Sequence, residues 1–354
     1  MTDSGNLFFA LLRFALWGEK SAAIPDELDE DMVEDFIFEA KNQTVLGLVA
    51  DALCNCGARI PETQMVKLLG SVMKLASKNA RVNDEIVRFA RLRIPDYIIV
   101  KGQTVAAFYL NPDLRMPGDV DFFVRDYSQA RQILQTKWDV RLPEKLIEKE
   151  FAFDYNGVSY EIHDSLVAFG SRRNQRYWDR LMARPFASVH INGTEVPTLE
   201  PTLYAAYVFI HLFFHFVREG IGLRHLCDWA VVLHHYRDQI DNDELVSIMK
   251  TLGFLSAYRA FGAIIVDNLG VKDFPLEISD KDRKWAGKIL PHILYGGNFG
   301  NGKKNAKSTG FGTKLQTFRR TLSVCLKFFP LAPAELALTI PRLVRVNVRL
   351  IIKN

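Results

Sequence analysis

The alternation of hydrophobic and polar positions divides the chain into a helical start, a central region of strands and short helices, and a helical second half. In residues 1 to about 95, apolar side chains recur three and four positions apart, which is the period of an amphipathic helix. The predicted apolar faces are Leu7, Leu11, Leu12 and Ala15 in one helix, and Met65, Leu68, Leu69, Val72 and Ala76 in another. We therefore expect a helical N-terminal region.

Short β-branched runs follow the N-terminal region and alternate with helical segments. Residues 94–100 and 120–124 have the composition of strands, whereas residues 104–110 and 128–138 have helical composition. The loop at 111–118 contains two prolines and a glycine and brings the chain to the second strand. The order strand, helix, strand, helix is predicted for this part of the chain.

Asn156 and Gly157 mark the clearest β-hairpin in the sequence. This dipeptide favours a type I′ turn, and alternating segments flank it on both sides. With a two-residue turn, the predicted pairs are Tyr155 with Val158, Asp154 with Ser159, and Ala152 with Glu161. Because paired residues share a face, the predicted polar face is Asp154, Ser159, Glu161 and His163, and the predicted apolar face is Phe153, Tyr160 and Ile162.

Helical periodicity returns from about residue 201 to residue 255. A stretch rich in Gly, Lys and Asn near residue 300 is typical of a linker. The predicted organisation is an N-terminal helical region at 1–95, an α/β core at 96–198, a helical domain at 199–298 and a basic tail at 299–354. The predicted fold class is α+β.

Composition and charge are those of a folded, soluble protein. The chain has 354 residues, of which 48% are hydrophobic, and a formal net charge of only +4. Residues 301–354 hold eleven Lys or Arg and one acid, Glu335. Three interpretations of this basic tail stay open: contact with an anionic membrane surface, a solvated basic arm, or a helix that packs back on the protein. Nucleic-acid binding is not favoured, because few base-stacking aromatics accompany the basic residues.

Cysteine usage and the N-terminal segment indicate a reducing, cytoplasmic location. The four cysteines form no CxxC pair and have no regular spacing. The apolar run from Leu7 to Trp17 is broken by Arg13 and is followed by no cleavage-like site. It therefore predicts an amphipathic helix rather than a signal peptide or a membrane span.

Asp119 and Asp121 stand two positions apart at the head of an apolar strand, where strand propensity disfavours aspartate. Strand alternation puts both carboxylates on one face, about 7 Å apart. Three other Asp-x-Asp triplets, which begin at Asp29, Asp241 and Asp280, lie in acidic or helix-starting contexts. Solvated helix ends explain those three. The pair at the head of the strand is the candidate for chemistry.

A metal site at this pair requires a further carboxylate on a neighbouring strand. Mg²⁺ prefers octahedral oxygen coordination, and two-metal sites use several carboxylates. The polar face of the hairpin offers Glu161 as a third ligand, with Asp154 in reserve. The spacing alone leaves two interpretations open, a metal site and a polar edge of the sheet.

Three short motifs carry a family resemblance. Lys101-Gly102, Arg115-x-x-Gly118-Asp119-x-Asp121 and Tyr160-Glu161-Ile162-His163 resemble the core of the DNA-polymerase-β-like nucleotidyltransferase superfamily. They are most similar to its bacterial branch of uncharacterised nucleotidyltransferases, which are often associated with surface-polysaccharide gene clusters. The resemblance continues in the N-terminal helix and in two later motifs, His211-x3-His215 and Arg224-x3-Asp228. It implies a small mixed-sheet core with helical segments on both sides in sequence.

The resemblance implies transfer of NMP from an NTP such as ATP to an acceptor hydroxyl, with release of pyrophosphate. Asp119 and Asp121 would ligate two Mg²⁺ ions, with Mn²⁺ as the alternative metal. Glu161 would ligate the catalytic ion and draw the proton from the acceptor. The implied nucleotide-binding residues are Lys101, Gly102, Gln103, Arg115, Gly118, His163, His211, His215, Arg224 and Asp228.

One departure from the superfamily pattern concerns the glycine turn. The superfamily usually has Gly-Ser or Gly-Gly there, whereas Gln103 follows Gly102 in this chain. Gly102 would let the backbone approach the triphosphate, and Lys101 or Arg115 would supply positive charge. The acceptor is left open among a sugar, another small molecule and a protein. A catalytically inactive binding or assembly module is the alternative outside enzymology.

The histidines and the Arg224–Asp228 pair have structural interpretations beside the functional ones. His211 and His215 share a helix face and suit either a transition-metal pair or packing among aromatic residues. Arg224 and Asp228 are four apart, so a helix salt bridge competes with a phosphate contact. His163 shares a strand face with Glu161 and either orients that carboxylate or is a buried structural residue.

Overall fold

The computed structural model of the chain describes residues 3–146, 149–298 and 311–341. The described residues form two compact units. The first comprises residues 1–168 and 185–204, and the second comprises residues 169–184 and 205–354. The short segment 169–184 therefore belongs to the second unit, although sequence on both sides of it belongs to the first.

The first unit begins with four helices, as the apolar periodicity predicts. They are α1 (Asp3–Trp17), α2 (Glu30–Asn42), α3 (Leu46–Asn55) and α4 (Glu62–Ala90). The predicted apolar face of α1 is buried. In α4 the prediction is only partly right, because Leu68 is buried while Leu69 is exposed. The buried stripe of this 29-residue helix is rotated away from the predicted one and includes polar residues such as Asn79.

A four-stranded mixed sheet follows the helices and confirms the α+β class. Its elements are β1 (Tyr97–Val100), the one-turn helix α5 (Gly102–Ala106), β2 (Val120–Val124), α6 (Tyr127–Trp138), β3 (Glu150–Tyr155) and β4 (Val158–His163). The strand order is β1-β2-β4-β3. β2 and β4 are parallel, and the other two pairs are antiparallel.

The hairpin of β3 and β4 has the predicted turn and the predicted register. Asn156 and Gly157 both have positive φ angles, 48° and 71°, as a type I′ turn requires. Ala152 pairs with Glu161, and the pairs nearer the turn follow as predicted. The apolar face of β4 is fully buried. The dipeptide and the alternation were therefore sufficient to predict this part of the sheet.

A second hairpin, β5 (Ala187–Ile191) and β6 (Thr194–Thr198), was not predicted. Its turn is also an Asn-Gly dipeptide, Asn192 and Gly193, with φ angles of 47° and 73°. The same signal was present in the sequence, between the apolar residues Val189 and Val196. Both of these valines belong to the core of the first unit.

The core of the first unit lies between the end of α4 and one face of the sheet. Phe89 of α4 lies at its centre, with ring centroids 4.6 Å from Phe122 and 5.9 Å from Tyr160. Because side chains alternate along a strand, the burial of Phe122 and Tyr160 here directs their neighbours Asp121 and Glu161 to the opposite face. The core thus determines which polar side chains meet.

The second unit is helical. Its elements are α7 (Arg172–Met182), α8 (Pro201–Arg218, which begins within the first unit), α9 (Leu223–His235), α10 (Asn242–Leu252), α11 (Leu255–Leu269), α12 (Asp280–Gly296) and α13 (Phe311–Lys327). Residues 333–341 are also helical. Within the described ranges, no helix combines the length and the apolar character needed to cross a bilayer.

The described part of the predicted basic tail packs into the second unit. Phe328, Leu331 and Leu336 are fully buried, and the rings of Phe328 and Phe216 lie 4.9 Å apart. The acid of the tail, Glu335, is buried and accepts a hydrogen bond from the Gly170 N–H. For these residues the structure agrees with the interpretation of a helix that packs back on the protein. The basic residues from Arg342 onward lie outside the described residues, and their contact with a membrane stays a prediction.

Candidate active site

The central strands bring three chemistry-bearing side chains to one face of the sheet. Asp121 of β2 pairs with Glu161 of the parallel strand β4, and Phe123 pairs with His163. The sequence reasoning placed Glu161 on a neighbouring strand, but it did not establish that the two strands are adjacent and parallel. That pairing is what brings the two carboxylates side by side.

Asp121 is the most buried member of this group, with 4% of the residue exposed. Its Oδ1 atom lies 2.9 Å from Lys101 Nζ and 3.2 Å from His163 Nε2. His163 Nε2 also lies 3.8 Å from Glu161 Oε2. One buried carboxylate oxygen therefore has an ammonium and an imidazole as neighbours.

The surroundings of Asp121 and Glu161 shift the pKa values of the two carboxyl groups in opposite directions. Burial alone would raise the pKa of Asp121, but the Lys101 ammonium and the hydrogen bond with His163 outweigh it and hold that pKa well below its usual range. Burial and the negative charge of Asp121 raise the pKa of Glu161 to about 7. Asp121 is consequently ionised at neutral pH, while Glu161 can take up or release a proton there.

The donor set fits a divalent cation. Asp121, Glu161 and His163 each offer one ligand atom, and these atoms lie within 4.8 Å of one another. They are the one such group of His, Cys, Asp and Glu side chains in the part of the chain that the structure describes. Two carboxylate oxygens suit Mg²⁺ or Mn²⁺, and an imidazole nitrogen is accepted more readily by Mn²⁺ or another transition metal.

Asp119 lies at the same end of β2 but outside this close group. It precedes the strand by one residue and is exposed. A Cβ atom built on Gly102 would lie 3.4 Å from the Asp119 carbonyl oxygen, so the glycine turn and the head of β2 are neighbours. Gly118 faces open space. Asp154, the reserve ligand, is exposed and pairs with Ser159 nearer the hairpin turn.

Lys101 adopts an unusual backbone conformation between β1 and α5. Its φ and ψ angles are 59° and −154°, close to a region that is essentially restricted to glycine. The Lys101 N–H donates to the Tyr204 hydroxyl over 3.2 Å, and the Thr104 hydroxyl donates to the Lys101 carbonyl over 2.7 Å. Sequence reasoning missed Tyr204 and Thr104, because no local pattern links residue 204 with the glycine turn.

Gln103 and Arg115 are both buried within the first unit. The Gln103 amide donates to Asn83 Oδ1 over 2.7 Å. The Arg115 carbonyl accepts a hydrogen bond from Asn79, and 5% of Arg115 is exposed. Both residues thus take part in internal contacts near the loop that leads into β2. Their contact with a nucleotide stays a prediction.

A second group of titratable side chains lies in the second unit. The ring centroids of His211 and His215 on α8 are 4.2 Å apart, and those of His215 and His225 on α9 are 5.8 Å apart. His215 Nδ1 lies 2.9 Å from Glu219 Oε2. Burial, followed by the charges of Arg224 and His215, lowers the pKa of His225 well below its usual value.

His225 was not predicted as a member of this group. Its place three residues before Asp228 on α9 offers no motif of its own. Asp228 is buried and Arg224 is mostly buried, one turn apart on the same helix. The nucleotide-binding role of His211, His215, Arg224 and Asp228 stays a prediction.

Comparison with known proteins identifies a family whose profile matches this chain. The profile of a family described as an uncharacterised nucleotidyltransferase matches residues 29–270. A crystal structure of an antigenic nucleotidyltransferase-like protein from Paracoccidioides brasiliensis is similar, with 15% identity and a TM-score of 0.31, over 55% of this chain and 92% of that one. A similarity this distant supports no conclusion about activity. No curated protein matches the chain.

Proposed function

The chain belongs to the uncharacterised nucleotidyltransferase family, and on this premise we propose that it transfers NMP from an NTP to an acceptor hydroxyl. A bond forms between the acceptor oxygen and the α-phosphorus, the bond from that phosphorus to the pyrophosphate oxygen breaks, and pyrophosphate leaves. The observation that carries the proposal is that the ligand atoms of Asp121, Glu161 and His163 lie close together on the parallel strands β2 and β4.

In this proposal Asp121 and Glu161 hold a divalent cation, Mg²⁺ or Mn²⁺, with Asp119 as a further ligand from the head of β2. When bound, the cation would stabilise negative charge on the attacking and leaving oxygens. His163 lies within 3.2 Å of Asp121 and orients that carboxylate. The low pKa of Asp121 keeps this ligand ionised over the whole physiological range.

Glu161 is the proposed proton acceptor. Without a bound cation, burial and the charge of Asp121 raise the pKa of this carboxyl to about 7, and a divalent cation at the site would lower that pKa and favour the ionised form that accepts a proton. The proton of the acceptor hydroxyl would pass to a Glu161 carboxylate oxygen as the bond to phosphorus forms.

The glycine turn is the proposed triphosphate contact. Gly102 lies against the Asp119 backbone, and Gly118 faces open space next to it. A phosphate group can approach the backbone closely at both positions. Lys101, which precedes Gly102 in sequence, is the proposed cation of this contact; its ammonium lies 2.9 Å from Asp121 Oδ1.

For the acceptor we propose a sugar, a sugar phosphate or another small molecule, in line with the resemblance to proteins of surface-polysaccharide systems. A protein hydroxyl is the alternative. Incubation of the purified protein with a cell lysate and labelled NTP distinguishes them, since a small-molecule acceptor yields labelled product without a labelled protein band.

Thermal unfolding tests the proposal without knowledge of the acceptor. The protein is unfolded with each of the four NTPs, with and without Mg²⁺, beside Asp121→Asn, Glu161→Gln and the control Asp154→Asn. Ligand at about 100 times its dissociation constant stabilises a fold by roughly 2.7 kcal/mol. We expect a Mg²⁺-dependent stabilisation by at least one NTP that both site variants lose.

The control variant Asp154→Asn removes an exposed carboxylate from the same face of the sheet and should keep the full stabilisation. If no NTP stabilises the wild-type protein, the site does not bind nucleotide, and the inactive binding module becomes the better interpretation. If the control loses the effect as well, Asp154 takes part in binding, either as a further ligand or through its charge.

A further inference from the structure

Lys101 lies where a cation is needed, and its position is maintained at a structural cost. We propose that the Lys101 ammonium is a permanent cation of the site, which takes the place of one of two metal ions. The protein without nucleotide would then bind a single divalent ion. This inference rests on the proposed function and replaces the two-ion expectation.

The contacts of Asp121 support this assignment. Its Oδ1 atom already has two partners, Lys101 Nζ at 2.9 Å and His163 Nε2 at 3.2 Å. The ion pair is mostly shielded from water, since 17% of the Lys101 side chain and 6% of the Asp121 side chain are exposed. A carboxylate oxygen offers about two acceptor positions. A metal ion at this oxygen would have to displace the lysine or the histidine, so Asp121 would hold the single ion through its other oxygen, Oδ2.

The backbone of Lys101 indicates that the lysine is held there by the fold. A non-glycine residue near this φ and ψ region costs on the order of 1–3 kcal/mol and persists only where its surroundings impose it. The surroundings are Tyr204 and Thr104, both fully buried, which bind the Lys101 N–H and carbonyl. A lysine on a relaxed loop could reach a carboxylate by side-chain rotation alone. Here the backbone itself is fixed so that the side chain starts beside Asp121.

The charges near the site agree with one divalent ion. Asp119, Asp121 and Glu161 carry three negative charges when ionised, and Lys101 carries one positive charge. The remaining two negative charges match one divalent cation. A second divalent cation would give these four side chains and the two ions a net charge of +2, with like charges around the buried Asp121 carboxylate.

Titration of the full-length protein with Mn²⁺, followed by the EPR signal of the free ion, tests the proposal. We expect one tightly bound Mn²⁺ per chain in the wild type. Lys101→Met should bind two, because the ammonium no longer fills the second place. Lys101→Arg, which keeps a positive charge, should still bind one. Lys74→Met, which removes an exposed lysine from α4, should also bind one.

Two Mn²⁺ ions per wild-type chain would overturn the proposal and leave the metal-dependent nucleotidyltransferase intact. A count of one in both the wild type and folded Lys101→Met would also overturn it. Absence of Mn²⁺ binding together with absence of NTP stabilisation would remove the proposed function itself. If Lys101→Met does not fold, as judged by circular dichroism, Lys101→Gln takes its place, and the wild-type count still decides.

Discussion

Two clusters of titratable side chains among the described residues, one in each unit, have similar numbers of members but differ in how those side chains meet. In the first unit, Asp121, Glu161 and His163 approach through their ligand atoms, within 4.8 Å of one another. In the second unit, His211, His215 and His225 approach as rings, with centroids 4.2 to 6.3 Å apart. Proximity alone therefore does not make a cation site; donor atoms have to converge.

The charges of the two groups also differ. Asp121 is buried together with its counter-ion Lys101, and the pair keeps the carboxylate ionised. His225 is held neutral by burial and by the nearby charges of Arg224 and His215. The first cluster thus keeps an ion pair in the interior, whereas His225 of the second cluster is neutral. The comparison supports the proposal of a cation site in the first unit.

The largest expected effect is on activity, and it distinguishes the cluster around Asp121 from the histidine cluster. Asp121→Asn should lower NMP transfer, measured as pyrophosphate release, by at least about 100-fold, because it removes charge that acts on the reacting phosphate. His211→Asn should lower the rate by less than about tenfold. Equal losses in both variants would end the distinction and place the histidines in the chemical step.

The second prediction compares two buried tyrosine hydroxyls. Tyr204→Phe leaves the Lys101 N–H without its partner and should destabilise the protein by about 1–3 kcal/mol, measured by urea unfolding. The Tyr258 hydroxyl in the second unit has no hydrogen-bond partner among the described residues. Tyr258→Phe should therefore be neutral or stabilising. A neutral Tyr204→Phe would show that the Lys101 backbone does not depend on this contact.

The third prediction concerns pH and should be smaller. Because the folded-state pKa of His225 lies below its unfolded value of 6.5, its contribution to stability is fully present above pH 6.5. Below that pH the unfolded chain takes up a proton that the folded chain does not, so stability falls. Urea unfolding at pH 7.5 and 5.5 should show a smaller difference between the two pH values in His225→Asn than in the wild type. An unchanged difference would assign the loss to other groups.

The smallest effect is expected at the edge of the first group. Asp154→Asn should change stability by less than about 0.5 kcal/mol, since the side chain is exposed at the end of the hairpin. A loss of stability above 1 kcal/mol in thermal unfolding would mean that Asp154 supports the site, in line with its prediction as the reserve ligand.

The parts of the molecule that depend on local pattern could be predicted from sequence. The register of β3 and β4 followed from Asn156-Gly157, and the polar face with Glu161 and His163 followed from alternation. The second hairpin shows the same signal at Asn192-Gly193 and was overlooked. The pairing of Asp121 with Glu161 depends on a parallel neighbour 40 residues away along the chain, which no local pattern specifies.

The contacts of Lys101 could not be predicted for a related reason. Its backbone N–H donates to the hydroxyl of Tyr204, which comes from a helix about a hundred residues later. A lysine followed by a glycine is compatible with many turn conformations, and tertiary contacts select the one observed here. The resemblance gave Lys101 a place near the nucleotide, whereas the structure shows what it contacts within the protein.

Residues 169–184 belong to the second unit and interrupt the sequence of the first, which affects how the first unit folds during synthesis. The core of the first unit includes Val189, Ile191 and Val196, which leave the ribosome only after the segment that belongs to the second unit. A nascent chain that ends near residue 168 lacks a hairpin that covers part of its apolar core. We therefore expect the first unit to complete its folding only after residue 204 has emerged, and a fragment cut at residue 168 to need chaperones that the whole chain does not.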